Sequence, residues 1–261
     1  MRPAMIAIDQ VTFGYSPESP IFESFTWSVE AGEAWCVLGP SGCGKTTLLY
    51  LLAGLRRPIS GDVRVDGESL RRPRPRTGLV LQDYGLMPWA TVWENIALGL
   101  RVRGFYGPDG RHAPRDEALV ETQSRVDTWL DRMDLRSVSG NYPAQISGGQ
   151  RQRTAISRTL ALRPDLLLMD EPFASLDAPT REDLQELTLQ LRAESGLTLI
   201  LVTHTLEEAA FLGRKILLLG RPPTRRALVV DNPRAGTAGY RRSEAYASMC
   251  RELRERLGAL V

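Results

Sequence analysis

Lysine is almost missing from this 261-residue chain. Lys45 and Lys215 are the only two, and every other basic side chain is arginine. That skew reads as a compositional bias and not as a binding patch. Charge of either sign in excess is missing too. The net charge is +2, which argues against a polyanion partner and against acidic disorder. Cysteine is scarce: Cys36, Cys43 and Cys250 have no metal-ligand spacing and make no disulfide framework, so a reducing compartment fits. Histidine occurs twice, as His112 and His204. The N-terminus lacks the basic-then-apolar pattern of a signal peptide. The longest apolar runs, residues 48–55 and 197–202, are far shorter than a bilayer span. A soluble or peripheral chain is expected, with any membrane role coming through a partner. No internal repeat or low-complexity run occurs. The length suffices for one large domain with room for a subdomain.

What is present centres on Gly39-Pro40-Ser41-Gly42-Cys43-Gly44-Lys45-Thr46-Thr47. The run fits G-x-x-x-x-G-K-[ST], a loop whose backbone N–H groups face inward around phosphates. Residues 34–38 before it read as a buried strand and residues 46–53 after it as a helix. The loop therefore lies at a helix N-terminus, where unpaired N–H groups and the helix dipole favour an anion. In such a loop Lys45 reaches the β- and γ-phosphates and the Thr46 hydroxyl binds Mg²⁺. That one of two lysines stands here marks Lys45 as kept for chemistry.

Residues 5–13, 21–28 and 62–65 read as short strands separated by turn residues. Residues 77–81, 166–169 and 197–202 are nearly continuous in apolar side chains, the pattern of strands buried on both faces of a parallel sheet. Residues 92–102, 118–135 and 149–162 instead carry helical periodicity, with Leu119, Val126, Leu130 and Met133 on one face. A mixed-sheet core interrupted by a helical insertion at about 88–160 follows. Residues 104–114 read as an exposed loop, with His112 solvated. Near the end, Tyr246, Met249, Cys250, Leu253 and Leu257 form one stripe of a helix at about 243–258. Packing onto the parent domain is the ordinary use of such a stripe, and a partner surface is the other.

The strand at 166–170 ends in Asp170-Glu171. Asp170 is placed to hold Mg²⁺ through water, and Glu171 to polarise a water that attacks the γ-phosphate. Upstream, Gln145-Ile146-Ser147-Gly148-Gly149-Gln150-Arg151 runs small residues straight into a helix, again a phosphate-facing terminus.

Taken in order, these motifs resemble the ATP-binding subunit of an ABC transporter. Ile146-Ser147-Gly148-Gly149-Gln150 is similar to the family signature LSGGQ, with Ile for Leu. Tyr15 matches the aromatic that stacks on adenine, Gln82 the Q-loop glutamine, Ala174-Ser175-Leu176-Asp177 the D-loop and His204 the switch histidine. The resemblance spans residues 5–220. It implies an α/β fold: a P-loop, RecA-like mixed-sheet core with an N-terminal antiparallel β subdomain and an inserted α-helical subdomain, as a single domain over 1–261. It implies ATP and Mg²⁺ as cofactors. Glu171, His204 and Gln82 would be catalytic, and Thr46, Gln82 and Asp170 would hold the metal. The 39–47 loop, Tyr15, Ser147, Gly148, Gly149, Gln150 and Asp177 would bind nucleotide. In this family two cassettes sandwich two ATPs head to tail, so a second chain is required, as a homodimer on this reading.

The stretch from Gln82 to Leu100, with Met87-Pro88-Trp89-Ala90-Thr91-Val92 inside it, resembles bacterial importers of nitrate, sulfonates, taurine and similar solutes. That implies permease subunits docked on residues 85–89, a periplasmic or lipid-anchored solute-binding protein, no nucleic acid, and a peripheral place on the cytoplasmic face of the inner membrane. Trp89, after Pro88 in a loop, reads as interface, and Trp93 as core. The solute is not written in the chain. Export or lipid transport, and non-transport ABC ATPases, are the alternatives. A repair ATPase needs a long coiled coil and a translation ATPase two cassettes, and neither is present. Cys43, beside Lys45 at a helix N-terminus, has two readings: a reactive low-pKa thiol, or a small side chain filling the loop.

Overall fold

The computed structural model describes residues 4–16, 18–116 and 121–260. In chain order the elements are β1 (Ala4–Ser16), β2 (Ser19–Glu30), β3 (Ala34–Leu38), α1 (Lys45–Leu52), β4 (Ser60–Val65), β5 (Glu68–Ser69) and β6 (Thr77–Val80). Then come α2 (Val92–Tyr106), α3 (Thr122–Arg132), α4 (Gly148–Leu160), β7 (Leu166–Asp170) and α5 (Ala178–Ser195). The chain closes with β8 (Thr198–Thr203), α6 (Leu206–Leu212), β9 (Lys215–Leu218), β10 (Leu228–Asp231) and α7 (Glu244–Gly258). Two compact units form: Met1–Pro73 with Leu168–Glu171 and Leu189–Val261, and Arg74–Leu167 with Pro172–Thr188.

The first unit holds two sheets. One is antiparallel, in the order β2-β1-β4-β5. Along β2 apolar and polar residues alternate, and Phe22, Phe25, Trp27 and Val29 are buried while their neighbours face out. The other sheet runs β10-β9-β3-β8-β7. Here β3, β7 and β8 are buried at every position, as their unbroken apolar runs require. Strand β3 pairs in parallel with β8, Ala34 opposite Leu199 through Leu38 opposite Thr203, and on its other side with β9. Strand β10 closes the edge antiparallel to β9. The register brings the C-terminal ends of β3 and β8 level, so the chain leaves both toward one rim, where ligands of open α/β sheets bind. Helix α7 packs on α6, and the Tyr246 hydroxyl donates to the Glu207 carbonyl (3.2 Å). Of the predicted stripe Leu253 is fully buried and Tyr246, Met249, Cys250 and Leu257 half-buried, so the helix packs onto its parent unit.

The second unit is mainly helical. Helix α2 packs on α3 and α4. Its start is a capping box: the Glu94 N–H donates to Thr91 Oγ1 (3.2 Å) and the Thr91 N–H to Glu94 Oε2 (2.8 Å). Buried Arg103 at its last turn donates to the Leu162 carbonyl (2.9 Å), and Arg125 of α3 donates to the Ala161 carbonyl (3.2 Å). Two guanidiniums thereby satisfy carbonyls at the end of α4. Strand β6 and the first residues of β7 also belong here. The predicted helix at 118–135 is α3, which starts at Thr122; Ala118 and Leu119 lie outside the described residues. Trp93 is half-buried with Arg101 stacked over it at 5.1 Å, so it is not a full core residue. Among the described residues no helix is long and apolar enough to cross a membrane.

Candidate active site

The first unit gathers the 39–47 loop, Tyr15, Asp170, Glu171 and His204. The loop leaves β3 and turns into α1 at Gly44, whose φ of +102° lies where side-chain-bearing residues are strained. A Cβ there would also stand 2.3 Å from Ile21 Cγ2. Lys45 opens the helix and is buried, and its Nζ donates to the carbonyls of Gly39 (2.9 Å) and Pro40 (3.0 Å). The ammonium is thus held over the mouth of its own loop. The Tyr15 ring is exposed, its hydroxyl 3.3 Å from Thr47 Oγ1, with Phe13 edge-on at 5.3 Å and the Arg56 guanidinium 5.6 Å from its centroid. A flat aromatic platform therefore flanks the loop.

Asp170 ends β7 and is buried. Burial above all, with the Glu171 charge adding to it, pushes its carboxyl above the ordinary value; a hydrogen bond from Thr46 and the Lys45 charge pull the other way. Its Oδ1 is buried with no hydrogen-bond partner. An orphaned buried carboxylate oxygen beside a threonine hydroxyl is the donor set that a hard divalent cation takes. Thr46 and Asp170 therefore fit Mg²⁺.

Glu171 follows with φ +44°, a left-handed conformation that costs about 1–2 kcal/mol for a residue with a side chain. Its N–H donates to the Val202 carbonyl (2.9 Å), which fixes the bend. The bend brings Glu171 Oε2 to 3.0 Å from His204 Nδ1. His204 is half exposed, just past β8. The turn carrying it is held by Thr203, whose hydroxyl donates to buried Glu208 (2.6 Å) and accepts from the Thr205 N–H (3.0 Å). Sequence reasoning missed Glu208. A carboxylate opening a short helix reads as an ordinary N-terminal acid, and nothing in the sequence shows that it is buried.

Cys43 is decided between its two readings by burial. It is buried, and burial raises its thiol pKa; the Lys45 charge and N–H lower it by less. The loop-filling reading holds and the reactive-thiol reading does not.

The second unit holds Gln82, the 147–150 segment and Asp177. Ser147 caps α4 in a second capping box: the Gln150 N–H donates to Ser147 Oγ (3.2 Å) and the Ser147 N–H to Gln150 Oε1 (2.9 Å). Ile146 is buried as the apolar anchor. Gly149 abuts Thr180 of α5 so closely that a Cβ would stand 2.5 Å from Thr180 Cγ2. Asp177 accepts from the Thr180 hydroxyl (3.1 Å) and N–H (3.3 Å), which holds its carboxyl below the usual range. Gln82 is exposed at the start of a loop that ends at Thr91.

That loop is clamped by two residues that sequence reasoning missed. Arg158 of α4 donates to the carbonyls of Gly85 (2.6 Å) and Tyr84 (2.9 Å). Fully buried Asn95 donates to the carbonyls of Met87 (3.2 Å), Ala90 (2.9 Å) and Thr91 (3.0 Å), and accepts from the Met87 N–H (2.8 Å). With its backbone fixed inward, the loop presents Trp89 outward at 75 % exposure.

Comparison with known proteins agrees with this arrangement. The family model for ABC transporter matches residues 22–174. The taurine import ATP-binding protein TauB of Pseudomonas aeruginosa is 42 % identical over 221 residues, 84 % of this chain and 80 % of that protein. The aliphatic sulfonates import ATP-binding protein SsuB of Bacillus cereus is 36 % identical over 230 residues, 87 % of this chain and 86 % of that protein. An ATP-binding cassette solved as a dimer in a post-hydrolysis state with ADP and phosphate superposes with a TM-score of 0.72 at 28 % identity, covering 87 % of this chain and 98 % of that one. With its phosphate loop, strand-end acids and capped signature helix in place, the chain belongs to the ABC transporter family.

Proposed function

We propose that the chain is the ATP-binding and hydrolysing subunit of a bacterial ABC importer for a small sulfonate-like solute. The observation that carries the chemistry is the Glu171–His204 pair, 3.0 Å apart beside Asp170 and the Lys45 loop. The names of the taurine and sulfonate import relatives support the importer and its solute class.

On this reading Lys45 leaves the Gly39 and Pro40 carbonyls and turns to the β- and γ-phosphates, as the loop N–H groups take the remaining oxygens. Tyr15 stacks on the adenine. Thr46 and Asp170 would hold Mg²⁺, which would neutralise phosphate charge, and the motif resemblance assigns Gln82 to the same ion. Glu171 orients the attacking water and takes its proton, its strained backbone aiming the carboxylate. His204 stands beside that carboxylate to contact the γ-phosphate. The Ser147–Gln150 segment and Asp177 meet the nucleotide held by a second cassette. The whole chain works as one cassette, paired with a copy of itself, on permease subunits at the cytoplasmic face of the membrane and fed by a solute-binding protein.

The test is uptake. The chain is purified with the membrane proteins that accompany it and reconstituted in vesicles, with ATP on the cassette side. Labelled taurine and an alkanesulfonate are then offered on the other. ATP-dependent accumulation of either supports the reading. ATP hydrolysis with movement of neither class sinks the solute assignment, and absence of hydrolysis sinks the enzyme.

A further inference from the structure

The first unit has a cavity at the other end of β3. It has a volume of about 450 Å³ and is lined by Gly32, Glu33, Arg192, Arg214, Lys215 and Asp231, among others. Strand β3 starts at Ala34 and the phosphate loop follows its last residue. Five residues at about 3.3 Å each separate the cavity from Gly39 by about 16 Å. The two sites are therefore distinct.

The charges around the cavity sort into two groups. Lys215 is committed: its Nζ is 2.6 Å from Glu33 Oε1, lies 5.4 Å from the Trp35 ring centroid, and also feels Asp231, its cross-strand partner, and Glu30. Glu33 is committed in return, accepting from the Trp35 indole N–H (2.7 Å) and the Glu30 N–H (2.9 Å). The two guanidiniums are held by backbone instead. Arg192 donates to the Gly32 carbonyl (2.5 Å) and Arg214 to the Pro233 carbonyl (3.2 Å). Each has five N–H donors, and these contacts use few of them. Arg192 Nε is buried with no hydrogen-bond partner. Burial, and after it the Arg214 charge, hold the Arg192 guanidinium below its ordinary pKa, so the two like charges feel each other. Two backbone-anchored guanidiniums that repel across a cavity are stabilised by one anion placed between them.

We propose that this cavity is a binding site for a small tetrahedral oxyanion, of the sulfate, phosphate or organic sulfonate class, held between Arg192 and Arg214. Asp231 stands at the same cavity and opposes the anion, so it sets the affinity from the other side.

The experiment measures sulfate binding to the whole chain by calorimetry, with ADP saturating so that the phosphate loop is filled. Sodium chloride at equal ionic strength is the control, and methanesulfonate is the second arm. Sulfate should bind where chloride does not. Arg214→Gln, at an exposed position that folding tolerates, should weaken sulfate by about tenfold, the loss of roughly one charge-assisted hydrogen bond, and leave ADP affinity unchanged. Asp231→Asn should strengthen it. Tighter binding of sulfate assigns the site to inorganic dianions, and tighter binding of methanesulfonate to organic sulfonates. Equal sulfate affinity in wild type and Arg214→Gln, or a response no larger than that to chloride, overturns the proposal.

Discussion

His204 Nδ1 stands 3.0 Å from Glu171 Oε2, and the left-handed backbone at Glu171 is what brings them there. A carboxylate held by a bent strand end and a histidine held by a threonine–glutamate turn meet at a fixed distance. Glu171→Gln keeps that geometry and removes the proposed proton acceptor. Turnover should fall by about 10²–10⁴, the usual worth of general-base help, while ATP binding persists and an ATP-bound pair of chains accumulates. Steady-state hydrolysis and gel filtration with ATP check it; wild-type turnover would remove Glu171 from the chemistry.

Lys45→Ala should act on binding instead. It deletes the ammonium resting on the Gly39 and Pro40 carbonyls and with it the charge proposed to meet the phosphates. Triphosphate affinity should drop by at least about tenfold, read by titration with a fluorescent ATP analogue. Unchanged affinity with lost turnover would move Lys45 from binding to catalysis.

Asp170 predicts a gain of stability from a loss of function. Its folded-state pKa is raised, so the folded protein holds the proton more tightly than the unfolded chain. Its contribution to stability therefore falls as pH rises from the ordinary Asp value of 3.8 through the folded one, and the penalty is full above that. Asp170→Asn should raise Tm of the nucleotide-free protein at neutral pH and lose that advantage below about pH 4. Hydrolysis should be abolished. Thermal melts across pH test the sign, and a lower Tm at neutral pH would contradict it.

Trp89→Glu should weaken copurification of permease subunits and leave ATP affinity unchanged. The side chain is 75 % exposed on a loop whose backbone Asn95 and Arg158 hold, so the substitution leaves the fold intact. Undiminished copurification would take Trp89 out of the interface. Asn95→Leu, by contrast, strips four hydrogen bonds from the same loop and should cost about 2–3 kcal/mol of stability.

Cys43 should resist alkylation. Burial keeps its thiol protonated at pH values where a free cysteine ionises. Labelling at pH 8 followed by mass spectrometry should find Cys43 slower than a free thiol, with its rate still rising at higher pH. Rapid, ATP-protected labelling would restore the reactive-thiol reading.

The sequence made some of this readable and hid the rest for physical reasons. Strands β3, β7 and β8 are buried on both faces, so their apolar runs are unbroken and easy to read. Strands β9 and β10 are four residues each; one begins with Lys215 and the other ends with Asp231, and both escaped notice. Helix α5 also went unread, although buried Leu184, Thr188 and Leu191 follow helical spacing. In the site, the motif residues announce themselves because a phosphate loop tolerates few alternatives. Asn95, Arg158 and Glu208 do not, since each works by reaching backbone or a hydroxyl that only the fold brings near. Cys43 stayed between two readings because the charge beside it is written in the chain and its burial is not.

The capping box at α4 has one more consequence. Ser147 Oγ and Gln150 Oε1 take each other's N–H groups, which leaves the N–H groups of Gly148 and Gly149 as the free donors of that helix end. They point along the axis from a turn already stiffened by its own side chains. A second chain's nucleotide would then meet a rigid pair of donors, not a loop that must be frozen on contact. The association of two cassettes would owe its temperature dependence to buried surface and charge, with little contribution from ordering the signature itself.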